Sequence, residues 1–354
     1  MTRKSDAALL CSSIFISLAL VEIFLRLFQF GYNNAPLNPS PTSHHEHPRN
    51  YEFTSYSPSG EWGNFLIKTD EYGNRKLDGI CQISEGSNRN NIFILGDSFV
   101  EAFQVTDQQT FSGIIQKEVC SQNIAVSNFG VSSYSPFLSY IHFREYLKNI
   151  PKKYSILKNS IVIHVLYEND YSGDMDYFKE ASSDETGNII VPSSSQLSWL
   201  QVLNRNFYIS RLVTRFYSTI LEGTRRNNTE RVKSENHHLT LNPSKKTCSL
   251  KEEEISTTRR FVEALNAMVK KNQGTYFLTS IPGDPRKEFT DNYKCTEKIA
   301  RDLNIPYIKP SLNLTTNPEE YYFLKDIHLN AKGHFIVGNT ILKFLNIKKS
   351  SFKK

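Results

Sequence analysis

Several short stretches carry residue types that can act together on an ester carbonyl. Gly96-Asp97-Ser98-Phe99 follows the apolar run NIFIL at 91–95. A strand, a tight turn and then a serine place a hydroxyl at the C-terminal edge of a sheet. There the next segment can aim backbone N–H groups at a forming oxyanion. Near the far end stands Asp326-Ile327-His328-Leu329-Asn330, just ahead of a helical pattern. An imidazole at that point can take the Ser98 proton, and a carboxylate can hold its tautomer. Asn128-Phe129-Gly130 and Glu168-Asn169-Asp170 close two further apolar runs. Glycine permits close backbone approach, so the Gly130 N–H can serve as a donor, and Asn169 offers a side-chain amide. Taken singly, each stretch also reads as an ordinary turn or helix cap. His164 lies mid-strand and reads as a core histidine, and His334 as a residue that supports the turn or packs on the last helix.

The elements that would position these residues alternate. Buried strands are predicted at 91–95, 124–129, 160–167, 275–282 and 305–310, and helices at 108–122, 137–149, 253–272, 292–304 and 331–346. Alternation of this kind argues for an α/β chain: a parallel sheet of about five strands with helices on both faces. The working site of such a sheet lies beyond the C-terminal ends of its strands, which is where Ser98, Gly130 and Asn169 fall. Residues 172–250 break the pattern. They read as an insertion with an amphipathic piece at 196–221 and a polar Asn/Lys/Ser-rich stretch at 223–249, either a lid or substrate-recognition element or a decorated loop.

The ordered set of Ser98, Gly130, Asn169 and Asp326/His328 resembles the SGNH/GDSL hydrolase family. The resemblance covers about 91–346 and implies a three-layer α/β/α, flavodoxin-like fold. It implies Ser98 as nucleophile and, through its N–H, as oxyanion donor, with Asp97 supporting the turn. It further implies Gly130 and Asn169 as the other oxyanion donors, His328 as base and Asp326 as its orienting acid. One departure stands out. The family's last block is D-x-x-H, whereas this chain has D-x-H, with Lys325 three before His328. Local turn geometry does not by itself guarantee an Asp326–His328 bond at that spacing. Some exported relatives that act on polysaccharides resemble the shorter D-x-H-x-N form. The Glu22/Arg26 pair and the TDEYGNR stretch at 69–75 also resemble membrane-anchored, exported members.

The chain has 354 residues, of which 39% are hydrophobic and 22% charged, ample for a core and unlike a disordered chain or a coiled coil. Its 42 Lys and Arg against 36 Asp and Glu leave +6, scattered and partly terminal, with no Arg-rich stripe that would suit nucleic acid. A mean hydropathy of −0.44 excludes a polytopic membrane protein. Ala7 to Phe30 is the exception, 24 residues with only Glu22 and Arg26 charged. As a helix it reaches about 36 Å, enough for a hydrocarbon core of about 30 Å. Arg3 and Lys4 precede it, so the expected arrangement is a cytoplasmic tail at 1–6, a signal anchor at 7–30 and an exported remainder. A cleaved signal peptide and a buried soluble helix are the alternatives. Residues 31–50, with four prolines, read as a linker, and the cluster His44, His45, His47 within it as solvated. The folded domain is expected at 51–346 and a basic tail at 347–354. In an oxidising compartment Cys81, Cys120, Cys248 and Cys295 allow two disulfides in three pairings, while Cys11 faces the membrane. No metal-ligand spacing, P-loop or G-x-G-x-x-G pattern occurs, so neither metal nor cofactor is expected.

Together these readings point to a serine-dependent esterase or O-acyltransferase acting through an acyl-enzyme. The acylated glycans of a cell envelope are the expected substrates. The alternative is an inactive glycan-binding or polysaccharide-assembly protein on the same fold, favoured by the altered last block. A flavodoxin-like receiver or nucleotide binder would have no need of Asn169 and His328 at strand ends.

Overall fold

The computed structural model describes residues 3–28, 36–57, 60–81, 90–150, 156–193, 198–214, 216–217, 248, 250–286 and 292–347. The basic tail from 348 onward, most of the polar stretch at 223–249 and residues 29–35 lie outside them.

Five strands form one all-parallel sheet: β5 (Asn91–Gly96), β6 (Ala125–Gly130), β7 (Ile161–Leu166), β10 (Thr275–Ser280) and β11 (Tyr307–Ile308). Their spatial order is β11-β10-β7-β5-β6. Counted from β5, that is the 2-1-3-4-5 order of flavodoxin-like sheets. Both faces are covered, so the strands read as continuous apolar runs, and every residue of β5 is buried. Successive side chains of β5 point to opposite faces. Phe93 and Leu95 join the core beneath α4 (Pro136–Asn149), α7 (Glu252–Lys271) and α8 (Asn292–Asp302). Ile92 and Ile94 join the core beneath α3 (Phe111–Val119) and α9 (Ala331–Phe344). The architecture is three-layer α/β/α.

Helix α7 shows why these segments are helical. Ile255, Thr258, Val262, Leu265 and Val269 fall at helical spacing on its buried face. Glu252, Glu253 and Glu254 open it and Lys270 and Lys271 close it, matching the helix dipole. Two disulfides, Cys81–Cys120 and Cys248–Cys295, clip surface segments to this body.

Around the sheet, several segments sit differently from expectation. The region read as a solvated linker is packed from residue 36 onward. It holds a two-stranded ribbon, β1 (Asn38–Pro39) with β2 (His45–Glu46), and both His45 and His47 are buried. A hairpin of β3 (Glu52–Tyr56) and β4 (Gly63–Lys68) follows. The segment read as an insertion from 172 also begins later. Helix α5 (Asp170–Lys179) packs into the body through buried Tyr171 and Asp174, and Asp174 Oδ1 accepts the Phe137 N–H at 2.8 Å, at the start of α4. The ribbon β8 (Ser182–Ser183) and β9 (Ile189–Ile190) follows, and Val191 is fully buried. Only beyond it does the chain leave the body, at α6 (Trp199–Asn206).

One further helix, α1 (Arg3–Leu27), stands apart. Its Asp6–Leu27 portion, 22 residues, is long and apolar enough to cross a membrane.

Candidate active site

The sheet reverses its winding between β5 and β7, and a flavodoxin-like sheet opens a crevice at that switch point. Strand β5 leads into Ser98 and β7 into Asn169, so the order of strands alone brings these two turns side by side. Gly96 makes the first turn tight. A Cβ there would lie 2.5 Å from Val100 Cγ2 and 2.7 Å from the Val165 carbonyl oxygen, which no side chain could tolerate.

Asp97 caps the single-turn helix α2 (Ser98–Glu101), its Oδ1 accepting the Phe99 N–H at 2.9 Å. Ser98 is the first residue of that helix, so its N–H has no intrahelical acceptor and points out of the helix start. The Asp97 carboxyl is buried, and its Oδ2 meets no hydrogen-bond donor among the described residues. Burial pushes its pKa up to about 7, against the nearby His328 imidazole, which pulls it the other way. Asp170, the first residue of α5, is also buried, and its Oδ1 meets no hydrogen-bond donor among the described residues. Its pKa is raised well above the carboxylate range, by burial first and then by the charge of Asp97.

His328 meets Ser98 across 230 residues of chain, with Nε2 2.7 Å from Ser98 Oγ. Its Nδ1 bonds Asp326 Oδ1, and the same oxygen accepts the His328 backbone N–H at 2.8 Å. With Nδ1–H donating to the carboxylate, Nε2 is left to accept the Ser98 hydroxyl. The short D-x-H spacing thus closes as an Asx turn, in which a carboxylate grips the N–H two residues on. The imidazole lies against Phe99, ring centroids 4.8 Å apart. Asn330, the last member of D-x-H-x-N, caps α9 by accepting the N–H groups of Lys332 and Gly333.

A residue that sequence reading missed holds this loop. Glu61, in the turn between β3 and β4, accepts N–H bonds from Leu324 at 2.7 Å, Lys325 at 3.0 Å and Asp326 at 3.1 Å. Next to it, Trp62 packs against Phe323, centroids 4.9 Å apart. Nothing local in the sequence marks Glu61, because its partners lie more than 260 positions away.

The donors expected around the crevice fare differently. The Asn169 side chain is exposed and makes no hydrogen bond among the described residues. Gly130 is a correction. Its N–H donates to Asn128 Oδ1 at 2.9 Å, so it is not free to receive an oxyanion. The glycine is needed for packing: a Cβ would sit 2.0 Å from the Glu101 nitrogen, where α2 crosses β6. His164 is a core residue, buried with Nδ1 2.7 Å from the Tyr276 hydroxyl, and burial lowers its pKa to about 3. His334 is likewise buried, and its Nδ1 accepts the Phe111 N–H at 3.4 Å.

The packed N-terminal region braces α2. His47 Nε2 lies 2.7 Å from Glu101 Oε1, both side chains buried, and Glu101 also accepts the Ser132 N–H at 2.8 Å and hydroxyl at 2.6 Å. Arg75, the last residue of TDEYGNR, is buried. It donates to the carbonyls of Glu101, Ala102 and Val105 and pairs with Asp107 at 2.7 Å. Among the described residues no group of three or more His, Cys, Asp or Glu is placed to hold a metal ion.

No family model matches the chain, and no curated protein matches it. Solved structures do. An alpha/beta hydrolase enzyme from the metagenome of Lake Arreo aligns at 11% identity and a TM-score of 0.41, over 74% of this chain and 97% of that one. An acetylxylan esterase from Geobacillus stearothermophilus aligns at 10% and 0.38, over 76% and 99%. A GDSL-like lipase from Bacteroides thetaiotaomicron aligns at 9% and 0.36, over 75% and 92%. These are likenesses of fold. At such identities the chemistry has to be read from Ser98, His328 and Asp326 themselves.

Proposed function

We propose that this chain is a membrane-anchored serine esterase or O-acyltransferase of the SGNH/GDSL type, acting on acylated glycans outside the cytoplasm. The observation that carries the reading is the 2.7 Å approach of Ser98 Oγ to His328 Nε2, with Asp326 on the opposite ring nitrogen. In the proposed reaction, His328 takes the Ser98 proton as Oγ attacks the ester carbonyl. The Asp326 carboxylate stabilises the imidazolium that forms. The Ser98 N–H and the Asn169 amide receive the oxyanion, without Gly130. The imidazolium then returns its proton to the departing alcohol, leaving an acyl-serine. Water or a sugar hydroxyl, deprotonated by the same imidazole, takes the acyl group and frees Ser98.

A glycan substrate is supported by a groove of about 450 Å³ beside the catalytic loop. Trp62, Phe65 and Phe323 line it, and Gln104 lies at its wall. Gln104 is only 8% exposed, and its Oε1 has no hydrogen-bond partner among the described residues. Aromatic side chains in a groove with polar walls suit the apolar face and hydroxyls of a pyranose. The two disulfides support an oxidising compartment, and α1 supports an anchor. The bond between His328 and Asp326 removes the main ground for an inactive binder, the altered last block.

A fluorophosphonate probe tests the reading. The full chain should be labelled, and Ser98→Ala should not. A folded wild-type chain that resists labelling, and that leaves p-nitrophenyl acetate intact, would overturn it.

A further inference from the structure

Glu22 and Arg26 are the two charges in the apolar stretch of α1 from Ala7 to Leu27, and both are used. Glu22 accepts the N–H groups of Tyr208 and Ile209, each at 3.0 Å. Arg26 bonds Glu22 at 2.8 Å, donates to the Asn206 carbonyl at 2.5 Å, and lies 5.6 Å from the centre of the Tyr208 ring. Residues 208–214 are helical, so Glu22 satisfies two first-turn N–H groups that have no partner in their own helix. A second set of bonds knits this segment to α6. Arg211 Nε donates to the Asn204 carbonyl at 2.6 Å, Ser210 to Asn204 Oδ1 at 2.5 Å, and the Arg211 guanidinium lies 4.3 Å from the Tyr208 ring centre. The amphipathic piece that left the catalytic body is therefore docked on the side of α1.

Its outer surface is apolar and uncovered. Trp199 is 69% exposed, Val213 63% and Phe216 71%, and Leu200, Val202 and Phe207 are exposed as well. An α6 with apolar residues on the outside is reversed relative to a helix that packs on a soluble core. The exposed surface of α1 beside it, Leu18, Val21, Phe24 and Leu27, is of the same kind.

We infer that residues 198–214, 216 and 217 lie in the headgroup layer of the membrane that α1 crosses, with Trp199, Leu200, Val202, Phe207, Val213 and Phe216 entering the lipid. Distance along α1 decides for lipid over a soluble partner or a second copy. Glu22 is five residues short of Leu27, the end of α1, and at about 1.5 Å per residue that is about 8 Å along the axis. Interfacial helices bury their apolar face about 5–10 Å into the boundary. A segment bonded to Glu22 sits at that depth if α1 spans. It works as a second point of attachment of the chain to the bilayer, beside α1. The inference depends on the anchor and not on the esterase reading.

The chain has two tryptophans, Trp62 and Trp199, so Trp62→Phe leaves one reporter on the docked segment. The full-length variant is reconstituted in phosphatidylcholine vesicles whose acyl chains carry bromine either near the headgroup or near the terminal methyl. Trp199 emission should be blue-shifted and strongly lost with the shallow bromine, and lost less with the deep one. A second reporter, Val213→Trp in the Trp62→Phe/Trp199→Phe background, should behave alike, and circular dichroism checks that each variant is folded. Emission unquenched by either lipid, or quenched more by the deep bromine, would overturn the inference. The first result means a protein surface or water covers the segment, and the second that it is inserted across the core.

Discussion

Asp326 Oδ1 holds His328 twice, by the imidazole Nδ1–H and by the backbone N–H two residues along. The two bonds have different consequences for a substitution. Asparagine can still accept the backbone N–H and keep the turn, but it cannot stabilise an imidazolium. Asp326→Asn is therefore expected to fold as the wild type does and to lose about 10³–10⁴ in kcat on p-nitrophenyl acetate, with KM changed little. A loss below tenfold would mean that the pair orients the loop without taking part in the chemistry.

Glu61 acts on the same loop from the other side. It uses both carboxylate oxygens, Oε1 for Leu324 and Lys325 and Oε2 for Lys325 and Asp326. Glutamine supplies one acceptor and turns an NH₂ toward a backbone N–H. Glu61→Gln should displace Asp326 and hence His328, lowering kcat about tenfold to a hundredfold. The loss should lie in the rate of each folded site, whereas a merely structural defect would lower the active fraction and leave that rate in place. Burst titration with a fluorophosphonate separates the two.

Much of the scaffold was legible because it rests on local pattern. The runs at 91–96, 125–130, 161–166 and 275–280 are strands, and the first three end near Ser98, Gly130 and Asn169. The rule that parallel strands open at their C-terminal ends places Ser98 and Asn169 at one rim, while His328 is singled out by the resemblance of the ordered set of motifs to a known family. What escaped was tertiary. His45 and His47 lie in a proline-rich stretch with no periodicity, yet His47 is buried against Glu101 because that carboxylate had to be matched when α2 packed. Gly130 misled for a different reason: a glycine needed for close packing of α2 on β6 looks the same in sequence as one that offers its N–H. Glu61 could be seen only once the hairpin and the catalytic loop were in place.

The contrast between Asn169 and Gly130 can be measured. The Asn169 side chain makes no hydrogen bond among the described residues, so Asn169→Ala should leave stability within about 0.5 kcal/mol. As an oxyanion donor it should still cost about 10²–10³ in kcat. Gly130→Ala retains the backbone N–H but drives a methyl into the Glu101 nitrogen. It should lower stability by about 1–3 kcal/mol and reduce activity only as far as α2 is displaced. Denaturant unfolding alongside steady-state kinetics on both variants resolves the pattern. A Gly130→Ala chain of undiminished stability would mean that the crossing of α2 over β6 has room for a methyl.

Asp97 makes stability depend on pH in a direction opposite to that of most carboxylates. In the unfolded chain it ionises near 3.8, whereas burial holds the folded group protonated up to about 7. Between these values the unfolded state has released a proton that the native state retains. Rising pH therefore favours unfolding across that window, and the contribution is flat above about 7 and below about 4. Asparagine keeps the cap on Phe99 N–H, since its side-chain oxygen accepts the same bond. Asp97→Asn should thus match the wild type near pH 4 and exceed it by a growing margin up to pH 7, after which the margin levels off. Urea midpoints at pH 4.5, 6 and 8 read this directly. A margin that shrinks as pH rises would mean that the folded carboxyl is ionised throughout and held by a partner. Removing the Asp97 charge would also relieve Asp170, whose own carboxyl is raised in part by that charge, so part of the gain at high pH should vanish in an Asp170→Asn background.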